Sequence, residues 1–246
     1  MKAAHKIQKS LTDLCRSVGG LRDRQLLLGD AFHLSEQDGD WSHGHAGKDG
    51  YQGYVRTADL EPFLPNSHWV STLYSHAYAA PNLKSADQMS LPFGAQVTVT
   101  ARSGTFCETT KGFIPHQHLL PIGTFLTDPI QVAMMFLGAP YLWGGNSASG
   151  IDCSGLVQAA CLACGSECPG DTGPQQEFFP SFSGAWARGQ VIFWPGHVAL
   201  TISADKLIHA NAHTMTVTVE GIETTIERIS NAGDGPIVHR AQLEQP

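Results

Sequence analysis

The chain has 246 residues, enough for two or three compact units at about 100–200 residues each. Hydrophobic residues make up 42% and charged residues only 15%, a balance that supplies buried cores and excludes a fibrous or disordered chain. Twenty-two acids against fifteen bases leave a net charge of −7 with no basic cluster beyond Arg22/Arg24, so nucleic acid and anionic membrane surfaces are not expected partners.

At the N-terminus Met1–Lys6 is basic, but Gln8, Lys9, Ser10, Thr12 and Asp13 interrupt any run long enough for a signal-peptide core. The greasiest stretch, Val132–Trp143, is shorter than the ~20 apolar residues of a membrane span and contains Gly138 and Pro140. Four of the six cysteines fall between Cys153 and Cys168, unlike a spread disulfide framework. A cytoplasmic, reducing location is the expectation.

From Arg22 to about Leu60, short segments with strand character alternate with turn residues: Gln25–Leu28, Ala31–Ser35, Trp41–Ala46 and Tyr51–Arg56. Pro62–Ser67 reads as a Pro-bracketed linker. A second set follows at Trp69–Tyr74, Gly94–Thr100, Thr105–Thr109 and Gly112–Pro115. Leu26–Ala31 answers Leu91–Ala95, and Gly53-Tyr54-Val55 answers Gly112-Phe113-Ile114, which predicts tandem β modules; one irregular β-sandwich over residues 1–122 is the alternative. Both halves of the repeat resemble bacterial SH3-like domains.

After Gly123 the character changes. Asp128-Pro129 has the form of an N-cap with proline at the first helical position, predicting a helix over Ile130–Leu137 that stops at Gly138-Ala139-Pro140. A Gly/Asn/Ser loop, Gly144–Gly150, leads to a second helix, Cys153–Cys164, with Leu156, Val157, Ala160, Cys161 and Cys164 on one apolar face. Cys161, Cys164 and Cys168 have a zinc-like spacing, but no second close pair completes four ligands and two of them lie on the core face, so packing is the preferred reading. Gln190–Trp194, Val198–Ser203, Leu207–Ala212 and Thr216–Val219 read as antiparallel strands.

Cys153 opens its helix directly after a glycine-rich loop, where unpaired backbone N–H groups favour a thiolate. Hydrolysis of an amide also needs an imidazole to protonate the leaving amine. His197, after the Pro195-Gly196 turn, fits that role, and His209 on the next strand is placed to orient it; His213 competes for the latter position. A two-residue turn at Ala204-Asp205 pairs His209 with Leu200, three residues or about 10 Å from His197 along the strand, so regular strands alone do not join the rings.

Gly138-Ala139-Pro140-Tyr141-Leu142-Trp143-Gly144-Gly145, Asp152-Cys153-Ser154-Gly155-Leu156-Val157, Gly196-His197-Val198-Ala199 and Ile208-His209 together resemble the NlpC/P60 family of papain-like cysteine peptidases over Thr124 to about Arg240. With the β modules included, the chain resembles the subgroup of γ-D-glutamyl-L-diamino acid endopeptidases. The resemblance implies an α+β protein: two small SH3-like barrels, at 1–63 and 64–123, precede a catalytic domain of a central helix on an antiparallel sheet at 124–246. It implies Cys153 as nucleophile, His197 as base and His209 as the third member, with Tyr141, Asp152, Ser154 and Thr172 as substrate-binding residues. Asp23 and Tyr51 are implied to be supplied to the cleft by the first module, with Asp23 and Asp152 together facing the substrate's free amine. The implied substrate is a murein-derived peptide, L-Ala-γ-D-Glu-diamino acid, processed by a monomer without cofactor or metal. Two other classes stay open: a catalytically dead wall-peptide-binding module, and an N-acyl amidase or acyltransferase on a related fold.

Overall fold

The computed structural model describes residues 4–243, and the chain divides into two compact units. One runs from the N-terminus to Thr124 and takes in Asn146–Ala148; the other comprises Phe125–Gly145 and the chain from Ser149 onward.

The first unit is all β. Its first half holds β1 (Ala4–Ile7), β2 (Leu11–Cys15), β3 (Arg22–Leu27), β4 (Ala31–Asp38), β5 (Trp41–Ala46), β6 (Gln52–Arg56) and β7 (Leu60–Pro62), joined in the order β3-β2-β6-β5-β4-β1-β7. Alternate residues of β5 and β6 point inward, and Ile7, Leu14, Leu26, Phe32, Ala46 and Val55 form the core. The second half has β8 (His68–Val70), β9 (Tyr74–Tyr78), β10 (Asp87–Pro92), β11 (Gln96–Val97), β12 (Val99–Ser103), β13 (Phe106–Thr109), β14 (Gly112–Pro115) and β15 (Leu119–Pro121). These make a five-stranded sheet, β10-β9-β14-β13-β12, and a three-stranded one, β11-β8-β15.

The internal repeat corresponds to equivalent corners. Gly29 and Gly94 each follow a strand with φ of +83° and +84°, a conformation that glycine adopts without strain. The two Gly-aromatic-aliphatic segments lie on β6 and β14, each followed by a 3-10 turn and a three-residue strand. Gly29 also lies where an added Cβ would meet the backbone of Gln96, whose N–H donates to Leu28 O at 2.7 Å. Gly29→Ala combines a left-handed backbone with a steric clash, so chemical denaturation is expected to show a loss of at least about 1 kcal/mol.

Several strand expectations need correction: β2 was not expected, and Gly94–Thr100 divides between β11 and β12, which belong to different sheets. Trp69–Tyr74 is not one strand: β8 and β9 belong to different sheets, and the chain turns between them. β1 escaped sequence reading because it carries a buried lysine: on the face opposite the core residue Ile7, Lys6 is buried and donates to Leu64 O at 3.0 Å and Asn66 Oδ1 at 3.2 Å. β10 escaped because most of its residues are exposed or half-buried, which erases the alternation.

The second unit is α+β. It contains α1 (Pro129–Met135), α2 (Cys153–Ala163) and α3 (Thr172–Phe178), with the two-residue strand β17 (Gly150–Ile151) ahead of α2; β16 (Asn146–Ser147) belongs to the first unit. A sheet follows from β18 (Gln190–Trp194), β19 (His197–Thr201), β20 (Lys206–Asn211), β21 (Thr216–Gly221) and β22 (His239–Gln242), with α4 (Ile222–Ala232) inserted before the last strand. The sheet order is β21-β20-β19-β18-β22. Every residue of β18 is buried, and α2 packs on β19 and β20, so the helix that begins at Cys153 is a core element. α1 begins one residue earlier and ends two earlier than expected; Asp128 Oδ1 accepts from the N–H groups of Ile130 and Gln131, and Pro129 occupies the first turn. Sequence reading missed α3, whose Gly173-Pro174 mimics a turn, and α4, which buries Ile222 and Ile229 against Ile192, Trp194, Ala199 and Leu207.

Candidate active site

The segment that carries Tyr141 is pinned on both sides. Tyr141 N donates to Met215 O at 2.8 Å and Val217 N to Ala139 O at 2.8 Å, which ties the segment to the β21 end of the sheet. Leu142 N donates to Ile151 O and Ile151 N to Pro140 O, both at 3.1 Å, which ties it to the residues just ahead of Cys153. Gly138, with φ +82°, makes the turn out of α1 that starts this path.

Asp152 is the N-cap of α2. Its Oδ1 accepts from Gly155 N at 2.6 Å and Ser154 Oγ at 3.1 Å, and its Oδ2 from Gly144 N at 2.9 Å. One carboxylate thus satisfies a helix end and holds the glycine-rich loop against it. Both Asp152 and Ser154 are buried. Cys153, at the first helical position, is buried, accepts from the N–H of Val198, and lies 3.8 Å from Thr172 Oγ1. The thiol therefore sits against the start of β19, at the residue that follows His197. Thr172 is positioned by a residue that sequence reading overlooked: Gln175, fully buried on α3, donates from Nε2 to Ser154 O at 2.9 Å and Pro169 O at 3.0 Å.

The two histidines meet through a shift of one residue in register. β19 and β20 pair Leu200 with Ile208 and Thr201 with Leu207, and the link is not a two-residue turn, since Ile202 N bonds back to Lys206 O. Continued by one residue, this register sets His209 across from Ala199. The expected pairing with Leu200 would have put His209 on the face opposite His197, because side chains alternate along a strand. In the observed pairing both rings share a face as diagonal neighbours, and His197 Nε2 lies 2.8 Å from His209 Nδ1. His209 Nε2 in turn lies 2.6 Å from Glu220 Oε2, which also accepts from Arg228 Nη2 at 2.6 Å.

The charge state of the site differs from the sequence expectation. Burial first, and the neighbouring Asp152 carboxylate second, push the Cys153 thiol up to about 11, against the lowering effect of the Val198 and Ser154 N–H groups and the Thr172 hydroxyl. Burial, with His209 and Arg228 beside it, brings His197 down to about 3. Burial thus opposes the helix N-terminus and favours the neutral thiol and the neutral imidazole. Tyr141, pushed up to about 12 by burial and by the proximity of Cys153 and Asp152, keeps its proton and is a hydrogen-bond donor.

Of the remaining expected residues, Asp23 and Tyr51 lie in the first unit. Both Asp23 oxygens receive Arg16, at 2.8 and 3.2 Å, and the Arg24 guanidinium lies over the Tyr51 ring at 5.5 Å. His213 is exposed in the turn between β20 and β21, so the partner of His197 is His209. Cys161, Cys164 and Cys168 are buried, and among the described residues no group of three or more His, Cys, Asp or Glu side chains is arranged to hold a metal. No helix among the described residues is long and apolar enough to cross a membrane.

A buried cysteine at a helix start thus lies against the strand that presents a bonded histidine pair. The NlpC/P60 family matches residues 138–230, and the bacterial dipeptidyl-peptidase SH3 domain matches residues 14–60. The chain carries an NlpC/P60 peptidase domain preceded by a bacterial SH3 domain. Among similar proteins, a γ-D-glutamyl-L-lysine dipeptidyl-peptidase of Bacillus cereus is 27% identical over 231 residues, covering 76% of this chain and 67% of the relative. The Bacillus subtilis protein of the same name is also 27% identical, over 214 residues, covering 76% of this chain and 71% of its own. A crystal structure of an NlpC/P60 family protein from Bacillus cereus shares the fold, with TM-score 0.82 and 18% identity across 98% of this chain and 99% of that one.

Proposed function

We propose that the chain is a cysteine peptidase that hydrolyses the amide between the γ-carboxyl of D-Glu and a diamino acid in murein stem peptides that begin with a free L-Ala. The observation that supports this reading best is Cys153, bonded by the N–H of Val198, at the start of the strand whose His197 is bonded to His209. The names of the relatives at 27% identity point to the same bond.

Because the resting thiol and imidazole are neutral, the step begins with proton transfer from Cys153 Sγ to His197 as sulfur attacks the γ-carbonyl carbon. The Cys153 backbone N–H and the Tyr141 hydroxyl are assigned to the developing oxyanion. Collapse expels the diamino acid's amine, which takes the proton from His197, and leaves an L-Ala-γ-D-Glu thioester on Cys153. Water, deprotonated by His197, then attacks the thioester; the dipeptide acid leaves and the thiol regains its proton. Ser154 and Thr172 are assigned to the peptide's polar groups, while Asp152 and, on the resemblance, Asp23 are assigned to the free amine, with Tyr51 carried on the resemblance as a further substrate-binding residue. The proposed setting is recycling of wall peptides in the cytoplasm.

The test is incubation with L-Ala-γ-D-Glu-diaminopimelate and its N-acetylated form, followed by mass spectrometry. The free peptide is expected to be cut at least about tenfold faster, since loss of a charge-assisted hydrogen bond costs about 1.5–3 kcal/mol. Equal rates would remove amine recognition from the proposal, and turnover of neither peptide would overturn the hydrolase reading. The same comparison in Asp23→Asn tests that residue: an unchanged preference removes Asp23.

A further inference from the structure

The histidine pair does not end at His209. Register carries it further along the same face of the sheet: β20 and β21 pair Leu207 with Glu220 and His209 with Thr218, so Glu220 is the diagonal neighbour of His209. α4 packs over this face through Ile222 and Ile229, and it brings Arg228 to the same Glu220 oxygen that contacts His209. The result is a directed row from the site to the edge of the sheet: His197, His209, Glu220, Arg228.

Resting on the cysteine-peptidase reading, we infer that Glu220 is a positioning residue that fixes which nitrogen of each histidine carries the proton. An ionised carboxylate only accepts hydrogen bonds, so His209 must present Nε2–H to Glu220. A neutral imidazole then has its lone pair on Nδ1, and the 2.8 Å contact obliges His197 to donate from Nε2. Nδ1 of His197 is left as that ring's basic nitrogen. Without Glu220, His209 is free to take the other tautomer and to force the reverse assignment on His197, which disables it as a base for the thiol.

The row also carries charge. When His197 accepts the proton of Cys153, its positive charge is stabilised through His209 by the Glu220 carboxylate. Arg228 keeps that carboxylate ionised and in place, and hydrogen bonding from His209 holds Glu220 below the usual carboxylate range. The other titratable groups beside the reacting pair are Asp152 and Tyr141, next to Cys153. Asp152 disfavours the thiolate, and Tyr141 remains neutral. Among the groups around the histidine pair, Glu220 is the anion that favours a charged imidazole.

Glu220→Gln tests this without a change of shape, at a partly exposed position on the edge strand β21. The readout is the pH dependence of Cys153 alkylation by iodoacetamide, which needs no peptide substrate and is therefore independent of whether the proposed substrate is right. The loss of the anion makes proton transfer to His197 less favourable. Alkylation at neutral pH is expected to slow about tenfold, and the wild-type rate to be reached about one pH unit higher. Gln Oε1 can still accept from His209, so an unchanged pH profile in a variant with wild-type thermal stability would overturn the charge part of the inference. A second measurement needs no variant: ¹⁵N histidine NMR of the wild-type protein is expected to show Nε2–H tautomers at both His197 and His209. An Nδ1–H tautomer at His209 would overturn the inference.

Discussion

Cys153→Ala is expected to abolish hydrolysis of L-Ala-γ-D-Glu-diaminopimelate, with kcat lowered by at least about 10⁴-fold and the fold retained. The magnitude follows from the mechanism, since no other group can form the acyl intermediate and what remains is general base catalysis on a bound peptide. Retention of the fold follows from the site. The Asp152 cap that holds the first turn of α2 bonds through Gly144, Ser154 and Gly155, none of which involves the sulfur. Cys153→Ala at an unchanged melting temperature and with undiminished turnover would remove the enzyme reading.

His197→Ala is expected to lower kcat by about 10²–10⁴-fold, the usual contribution of a positioned acid–base group. Here the effect should lie at the upper end. With burial and Asp152 pushing the thiol up to about 11, almost no thiolate exists at neutral pH unless an imidazole takes the proton. The sign of the pH dependence follows: wild-type activity persists at neutral pH through His197, whereas the variant's residual rate should rise tenfold per pH unit toward the thiol's own ionisation. Cysteine and histidine act as one unit, so the double variant should be no slower than Cys153→Ala alone. Steady-state kinetics from pH 6 to 10 on the two single variants and the double variant measure all of this. A pH-independent residual rate in His197→Ala would mean that the thiol is activated by another group.

Much of the site was legible because its residues carry local signals. Asp152-Cys153 after a glycine loop is a helix start, and the Asp128-Pro129 pair announced α1 in the same way. The meeting of His197 and His209 was not legible, because it depends on the length of one turn. A link of two residues or of three differs little in composition, yet it decides which face His209 occupies. Nor was the row beyond His209 legible: Glu220 is the next-to-last residue of a half-exposed strand, and Arg228 reaches it only because α4 folds back over the sheet. The charge state was misread for a related reason. A helix N-terminus is visible in the sequence, whereas the burial that outweighs it comes from α2 packing on β19 and β20. In the first unit, a glycine of positive φ and a Gly-aromatic-aliphatic strand recur at equivalent corners, and both were readable. β1 was hidden because Lys6 is buried on the face away from the core.

The most direct test of a sulfur nucleophile at position 153 is an acid quench during turnover of L-Ala-γ-D-Glu-diaminopimelate, followed by peptide mapping by mass spectrometry. The account predicts a dipeptide thioester on the peptide that contains Cys153. Acylation of a different residue would contradict it.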